Sequence, residues 1–119
     1  MSQNFQAGDF LIFQIESGYG LLRLLAIDAT EGEIIWHLSA YHELFMDVES
    51  IDAALGDYQR LTISHPHLAL TTRAFEATQV ARMTNVPITG EDLSGLRDWR
   101  NDSARRVSDL SVRLLLGFR

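Results

Sequence analysis

From residue 9 to residue 41, apolar and polar positions alternate with a period of two, the spacing that predicts β-strands. Residues 9–16 set Leu11, Phe13 and Ile15 against Phe10, Ile12, Gln14 and Glu16. Residues 21–28 set Leu22, Leu24 and Ala26 against Leu21, Arg23, Leu25 and Ile27. Residues 33–41 alternate Ile34, Trp36, Leu38 and Ala40 with Ile35, His37, Ser39 and Tyr41. Two Gly-containing breaks separate these runs, ESGYG at 16–20 and TEG at 30–32, and glycine supplies turn geometry at low steric cost. The pattern predicts a three-stranded antiparallel meander. One face is apolar; the other is mixed, with Gln14, Arg23, His37, Ser39 and Tyr41 able to share it. A meander of this size needs a cover over its apolar face to be stable.

The period then changes. Leu44, Val48, Ile51 and Leu55 fall on one helical stripe across residues 43–55, and Gly56 is a natural stop. Residues 60–64 and 67–71 read as short strands interrupted by His65-Pro66-His67, because proline lacks a ladder N–H. Residues 72–76 read as one helical turn capped by Thr72, and 78–84 as a strand ended by Asn85-Val86-Pro87. A helix opens near Thr89 with Glu91 and Asp92 in its first turn, favourable against the helix dipole, and Gly95 weakens it by about 1 kcal/mol relative to alanine. Residues 107–118 alternate as a strand would, with a short helix begun at Ser108-Asp109 as the alternative. The expected fold is α+β: an antiparallel, curved or barrel-like sheet, opened by the meander, with two short helices packed on it.

At 119 residues the chain is long enough for one domain with a real core, expected to span residues 1–119. No apolar run is long enough to span a bilayer, and the first residues lack the cationic and apolar regions of a secretory leader. No membrane association is therefore expected, and the location expected is cytoplasmic. There is no cysteine, so disulfides, thiol catalysis and zinc–thiolate sites are excluded. The net charge of −6 argues against nucleic acid as a partner. That charge is uneven. Residues 1–59 hold ten acids and one base, Arg23; residues 60–119 hold six acids and nine arginines. Every basic residue is arginine, which suits bidentate pairing with carboxylates, within the fold or between subunits. As the one base in the acidic half, Arg23 is expected to pair with an acid of that half.

Several short stretches carry a family resemblance. They are Gly8-Asp9 opening an apolar strand, the Gly18-Tyr19-Gly20 turn into a second strand, Ala69-Leu70-Thr71, and Asn85-Val86-Pro87-Ile88-Thr89. In this order they resemble small bacterial SH3-like β-barrel proteins of the toxin-immunity type, over roughly a third of the chain. The resemblance implies a barrel that neutralises a toxin by binding it, without catalysis. No functional residue carries over position by position. The acidic segment 43–55 and the arginine-rich tail depart from such a barrel.

Candidate chemistry is sparse. His37, His65 and His67 are the candidate ligand or metal residues, since an H-x-H pair can supply two donors and His37 or an acid such as Asp47 a third. No G-x-S-x-G elbow accompanies Ser39 and His37, and Gly18-Tyr19-Gly20 does not lead into a helix, so neither a serine hydrolase nor a phosphate loop is expected. No catalytic residue and no cofactor is assigned. Glu43, Asp47, Glu49, Asp52 and Asp57 lie together with no base among them, and Tyr41, Trp36, Phe45 and Tyr58 are the aromatic anchors near them. The leading expectation is a non-enzymatic protein-interaction module, immunity- or antitoxin-like, meeting a basic protein partner through that acidic surface. The alternative is a small metal- or ligand-binding enzyme at His37, His65 and His67. A third reading is a homo-oligomer joining acidic and basic halves. Overall, the sequence leans away from an enzyme.

Overall fold

The computed structural model describes residues 4–30 and 32–118. Glu31, in the second expected turn, lies outside them, as do Met1–Gln3 and Arg119. Five strands form one antiparallel sheet: β1 Asp9–Ile15, β2 Gly18–Thr30, β3 Glu33–Tyr41, β4 Ile63–Thr71 and β5 Ala81–Asn85. Their order in space is β4-β3-β2-β1-β5. The meander predicted from the alternation is its centre. The sheet does not close: β4 and β5 are its outer strands, β4 carrying only a short parallel bridge from Leu70 to Ser108, so the barrel form suggested by the sequence is replaced by an open sheet.

The first turn is tighter than expected. β1 and β2 are joined by Glu16-Ser17 alone, and Tyr19 and Gly20 already belong to the ladder, opposite Gln14 and Phe13. Gly20 is needed there for space: a Cβ at this position would lie 2.3 Å from the Phe13 ring.

Four helices cover the sheet instead of two: α1 Val48–Leu55, α2 Thr72–Thr78, α3 Ser94–Asn101 and α4 Val112–Leu115. The apolar face bears Leu11, Phe13, Leu22, Leu24, Leu38 and Leu70, packed under Ala74 and Phe75 of α2 and Val112 of α4. On the other face, Phe10, Ile12, Leu21 and Tyr41 pack under Ile51 and Leu55 of α1. Further along this second face α3 lies against β4. A Cβ on its Gly95 would come within 2.9 Å of the Pro66 carbonyl oxygen and 3.0 Å of the His67 Cβ. The glycine that weakens the helix locally is thus what allows it to dock closely.

Several boundaries differ from the sequence reading for identifiable reasons. The helix expected over 43–55 starts only at Val48, because Asp47 caps it by accepting from the Ser50 N–H at 2.7 Å. Ile51 and Leu55 of its stripe are buried, whereas Leu44 and Val48 are exposed. Thr71, not Thr72, caps α2, its hydroxyl accepting from the Ala74 N–H at 3.1 Å. The strand expected over 78–84 is confined to Ala81–Asn85, since α2 runs to Thr78. The tail is helical at Val112–Leu115, not a strand. Its Val112 N–H donates to the buried Thr78 hydroxyl at 3.0 Å, which anchors the first turn of α4 to the end of α2.

His65-Pro66-His67 does not interrupt a strand. β4 runs through it and absorbs the proline in a bulge: Leu38 pairs with Leu68, but Ala40 pairs with His65. A second bulge lies in β2, where Leu24 pairs with Leu38 and Ala26 with His37, so that Leu25 is the extra residue. Each bulge reverses the inside–outside alternation beyond it. The first sends His65 to the face of Ala40 and His67 to the face of His37. The second brings Asp28, opposite Ile35, to the His37 face as well.

The acidic and basic halves pair within the chain. Asp9 meets Arg82 at 3.2 Å, Asp28 meets Arg100 at 3.0 Å, and Arg23 meets Asp92 at 3.2 Å. Arg23 therefore pairs with an acid of the basic half, not of its own.

Candidate functional site

Three groups of residues on the second face and its rim bear on function. The first is the acidic segment. Its five carboxylates are not alike. Glu43 accepts from the Thr62 N–H through both oxygens, at 2.9 and 3.0 Å. Asp47 caps α1, and the two Ser50 hydrogen bonds hold its carboxyl below the usual range. Asp57 pairs with Arg60 at 2.8 Å. These three fasten the backbone and the turn after α1. Glu49 and Asp52 are exposed and make no ion pair among the described residues. Just before them in the chain, Leu44, Val48 and, at 86% exposure, Met46 are also exposed. The expected aromatic anchors mostly serve the core. Trp36 stacks on Phe75 with ring centres 4.0 Å apart, Tyr41 is buried, and Phe45 and Tyr58 pack against the second core cluster.

The second group is built on His37, which is fully buried. Its Nε2 lies 3.0 Å from Asp28 Oδ2, and its Nδ1 lies 2.8 Å from His67 Nε2. The Arg100 guanidinium donates to both Asp28 oxygens at 3.0 and 3.1 Å. A carboxylate only accepts, so the chain of donors is set: His37 Nε2–H donates to Asp28, and His67 Nε2–H donates to His37 Nδ1. Trp99 of α3 closes over the pair, with ring centres 4.8 Å from His37 and 5.5 Å from His67. Its own Nε1–H donates to the Arg106 carbonyl at 2.8 Å.

This arrangement keeps both rings neutral. Burial lowers the His37 pKa against the opposing pull of the Asp28 charge. Burial, then the neighbouring His37 and Arg100, push His67 down to about 4. Burial acts to raise the Asp28 pKa, but the hydrogen bond from Arg100, the Arg100 charge and the hydrogen bond from His37 outweigh that and lower it. The three histidines expected as one ligand set are divided. His65 is on the opposite face beside Ser64, and both nitrogens of His37 are occupied. Among the described residues, no group of three or more His, Cys, Asp or Glu is placed to hold a metal ion. Sequence reasoning paired His37 with His67 but missed Asp28, Trp99 and Arg100; the β2 bulge that delivers Asp28 has no local signature.

The third group surrounds Arg23. In register, Phe10, Arg23 and Ser39 form a row across β1, β2 and β3. The mixed face was therefore foreseen, although Gln14 sits at its far, exposed end opposite Tyr19. Arg23 is only 2% exposed. Its Nη1 meets Asp92, and its Nη2 donates to the Val86 and Pro87 carbonyls at 2.8 and 3.2 Å. The guanidinium carbon lies 4.9 Å from the Phe10 ring centre and 5.3 Å from that of Tyr58. Nε is buried without a partner. Arg23 lines a cleft of about 400 Å³ whose walls include Tyr41, Tyr58, Leu61 and Ile63, together with Glu91 and Asp92. Burial raises the Tyr41 pKa, so its hydroxyl stays protonated at neutral pH. Asp92 is itself positioned by the Thr89 N–H and hydroxyl, at 2.9 and 3.0 Å. No described helix is long and apolar enough to cross a membrane. The chain matches no protein-family model, no curated protein and no solved structure.

Proposed function

We propose that this chain is a non-catalytic protein-binding module whose docking surface is the approach to α1 and its first turn, and whose partner is cationic. The supporting observation is that Leu44, Met46 and Val48, within a few residues of Glu49 and Asp52 in the chain, are all exposed, as are those two carboxylates. Large apolar side chains side by side on a surface are a feature of docking sites, and charge around them orients and accelerates association. The other acids of the segment are occupied in holding the backbone, which narrows the surface to these five residues. A toxin neutralised by binding is a partner in keeping with the resemblance to immunity proteins and with a basic counter-surface.

The test is to isolate the protein that co-purifies from the native cell, then measure its affinity by calorimetry with purified components. Met46→Asp and the double change Glu49→Lys, Asp52→Lys should each weaken binding by tenfold or more. Both should keep the fold, since all three side chains face water; Glu49→Lys, in the first turn of α1, should lower the melting temperature only slightly. Affinity should also fall as salt rises. Affinity unchanged in both variants would reject the surface.

A further inference from the structure

We propose that the cleft beside Arg23 binds a compact ligand carrying an ammonium group next to a carboxylate or carbonyl oxygen, as an amino acid does. The oxygen accepts from Arg23 Nε, and the ammonium faces Glu91.

Four observations lead there. First, Arg23 is almost wholly buried, and Nε alone of its nitrogens has no acceptor. An unpaired buried donor is costly and uncommon, and a site that a ligand completes accounts for it. Second, only one donor is open, so the ligand brings a single oxygen to it, not a bidentate anion. Third, the charges in the cleft do not favour a bare anion. Asp92 already balances Arg23, and Glu91 makes no ion pair among the described residues, which leaves the cleft one charge negative. A ligand must therefore bring positive charge together with its oxygen. Fourth, the cleft is about 400 Å³ and is walled by Tyr41, Tyr58, Leu61 and Ile63, which suits an apolar or aromatic ligand side chain. Nε is itself buried, so the proposed contact requires a neighbouring side chain to move; Tyr58, on the single 3-10 turn Tyr58–Arg60 with its ring against the guanidinium, is the one assigned this movement. This cleft is distinct from the docking surface at α1, and neither reading depends on the other.

The experiment is calorimetry on the whole chain with four probes. L-leucine carries both groups and a carboxylate. Leucinamide keeps the ammonium and a carbonyl oxygen, and so stands for the N-terminus of a peptide. Acetate and butylamine carry one group each. Leucine, leucinamide or both should bind saturably at one site; the better of the two identifies a free amino acid or a chain terminus as the source. Acetate and butylamine should not bind comparably. Glu91→Gln, at an exposed position, should weaken binding about fivefold. Arg23→Lys keeps the charge but removes Nε and should abolish binding. Should that variant fail to fold, Glu91→Gln decides. No saturable binding of either leucine probe at millimolar concentration would overturn the proposal. So would acetate or butylamine binding as well as leucine, or unchanged binding in Glu91→Gln.

Discussion

The same sheet face holds two buried polar groups of opposite character. Around His37 every hydrogen bond has both partners: Arg100 and His37 donate to Asp28, His67 donates to His37, and Trp99 covers the rings. Around Arg23 the partners are as numerous, yet one buried nitrogen has none and the residue lines an open cleft. Both groups arise from polar residues at inward positions of β2 and β3, and both are flanked by aromatic rings. A buried polar group whose partners are complete fixes one arrangement of the chain. A buried group that lacks a partner marks a place where something else can bind. On this criterion the histidine pair, the more conspicuous in the sequence, is structural, and the arginine is the better candidate for recognition.

That contrast can be tested by removing each centre. The largest effect is expected from His37→Leu. It leaves the His67 N–H without an acceptor and Asp28 without one donor, and should cost about 2 kcal/mol in urea unfolding. A loss no larger than that of a surface change would show that the line of hydrogen bonds does not hold the fold.

The second test is acid. His67 is held at about 4 in the folded chain against 6.5 for the free side chain, so the unfolded chain binds more protons between these values. Stability should therefore fall as the pH drops from about 6.5 towards about 4; His37, also lowered by burial, adds to this decline, and the lowered carboxyls of Asp28 and Asp47 extend it below. Asp28, whose pKa is lowered from 3.8, stays charged in the folded chain through that window and adds to the slope only near its lower end, where the unfolded chain begins to protonate it. Unfolding midpoints followed from neutral pH down should show this decline, and His67→Gln should reduce it to the share that His37 contributes. An equal decline in that variant would assign the acid sensitivity elsewhere.

The smallest effect is expected at Arg23. Arg23→Met fills much of the same volume and removes the unpaired nitrogen. Asp92, at 24% exposure, keeps Thr89 and water as partners. The net loss should be about 1 kcal/mol, because relief of the buried, unpartnered Nε–H and the apolar replacement offset most of what the carbonyl hydrogen bonds, the Asp92 pair and the ring contacts contribute. A loss exceeding that of His37→Leu would reverse the comparison and make Arg23 the structural centre.

Local pattern determined a good part of this molecule. The two-residue period of Leu11-Phe13-Ile15 and Trp36-Leu38-Ala40 is a property of neighbouring side chains, and it specified the meander and its apolar face without reference to the remaining chain. The mixed face of Arg23, His37 and Ser39 was legible for the same reason, as was the helix containing Ile51 and Leu55. What tertiary structure alone decided is register and closure. The extra residues at Leu25 and around Pro66 change which face each later side chain occupies. They separate His65 from His67 and bring Asp28 to His37, and no alternation rule can place such bulges in advance. The pairing of Arg23 with Asp92, the docking of Gly95 against β4 and the open edges of the sheet all depend on segments far apart in the chain. Their energies come from contacts between segments, and a single stretch of sequence carries only one side of each.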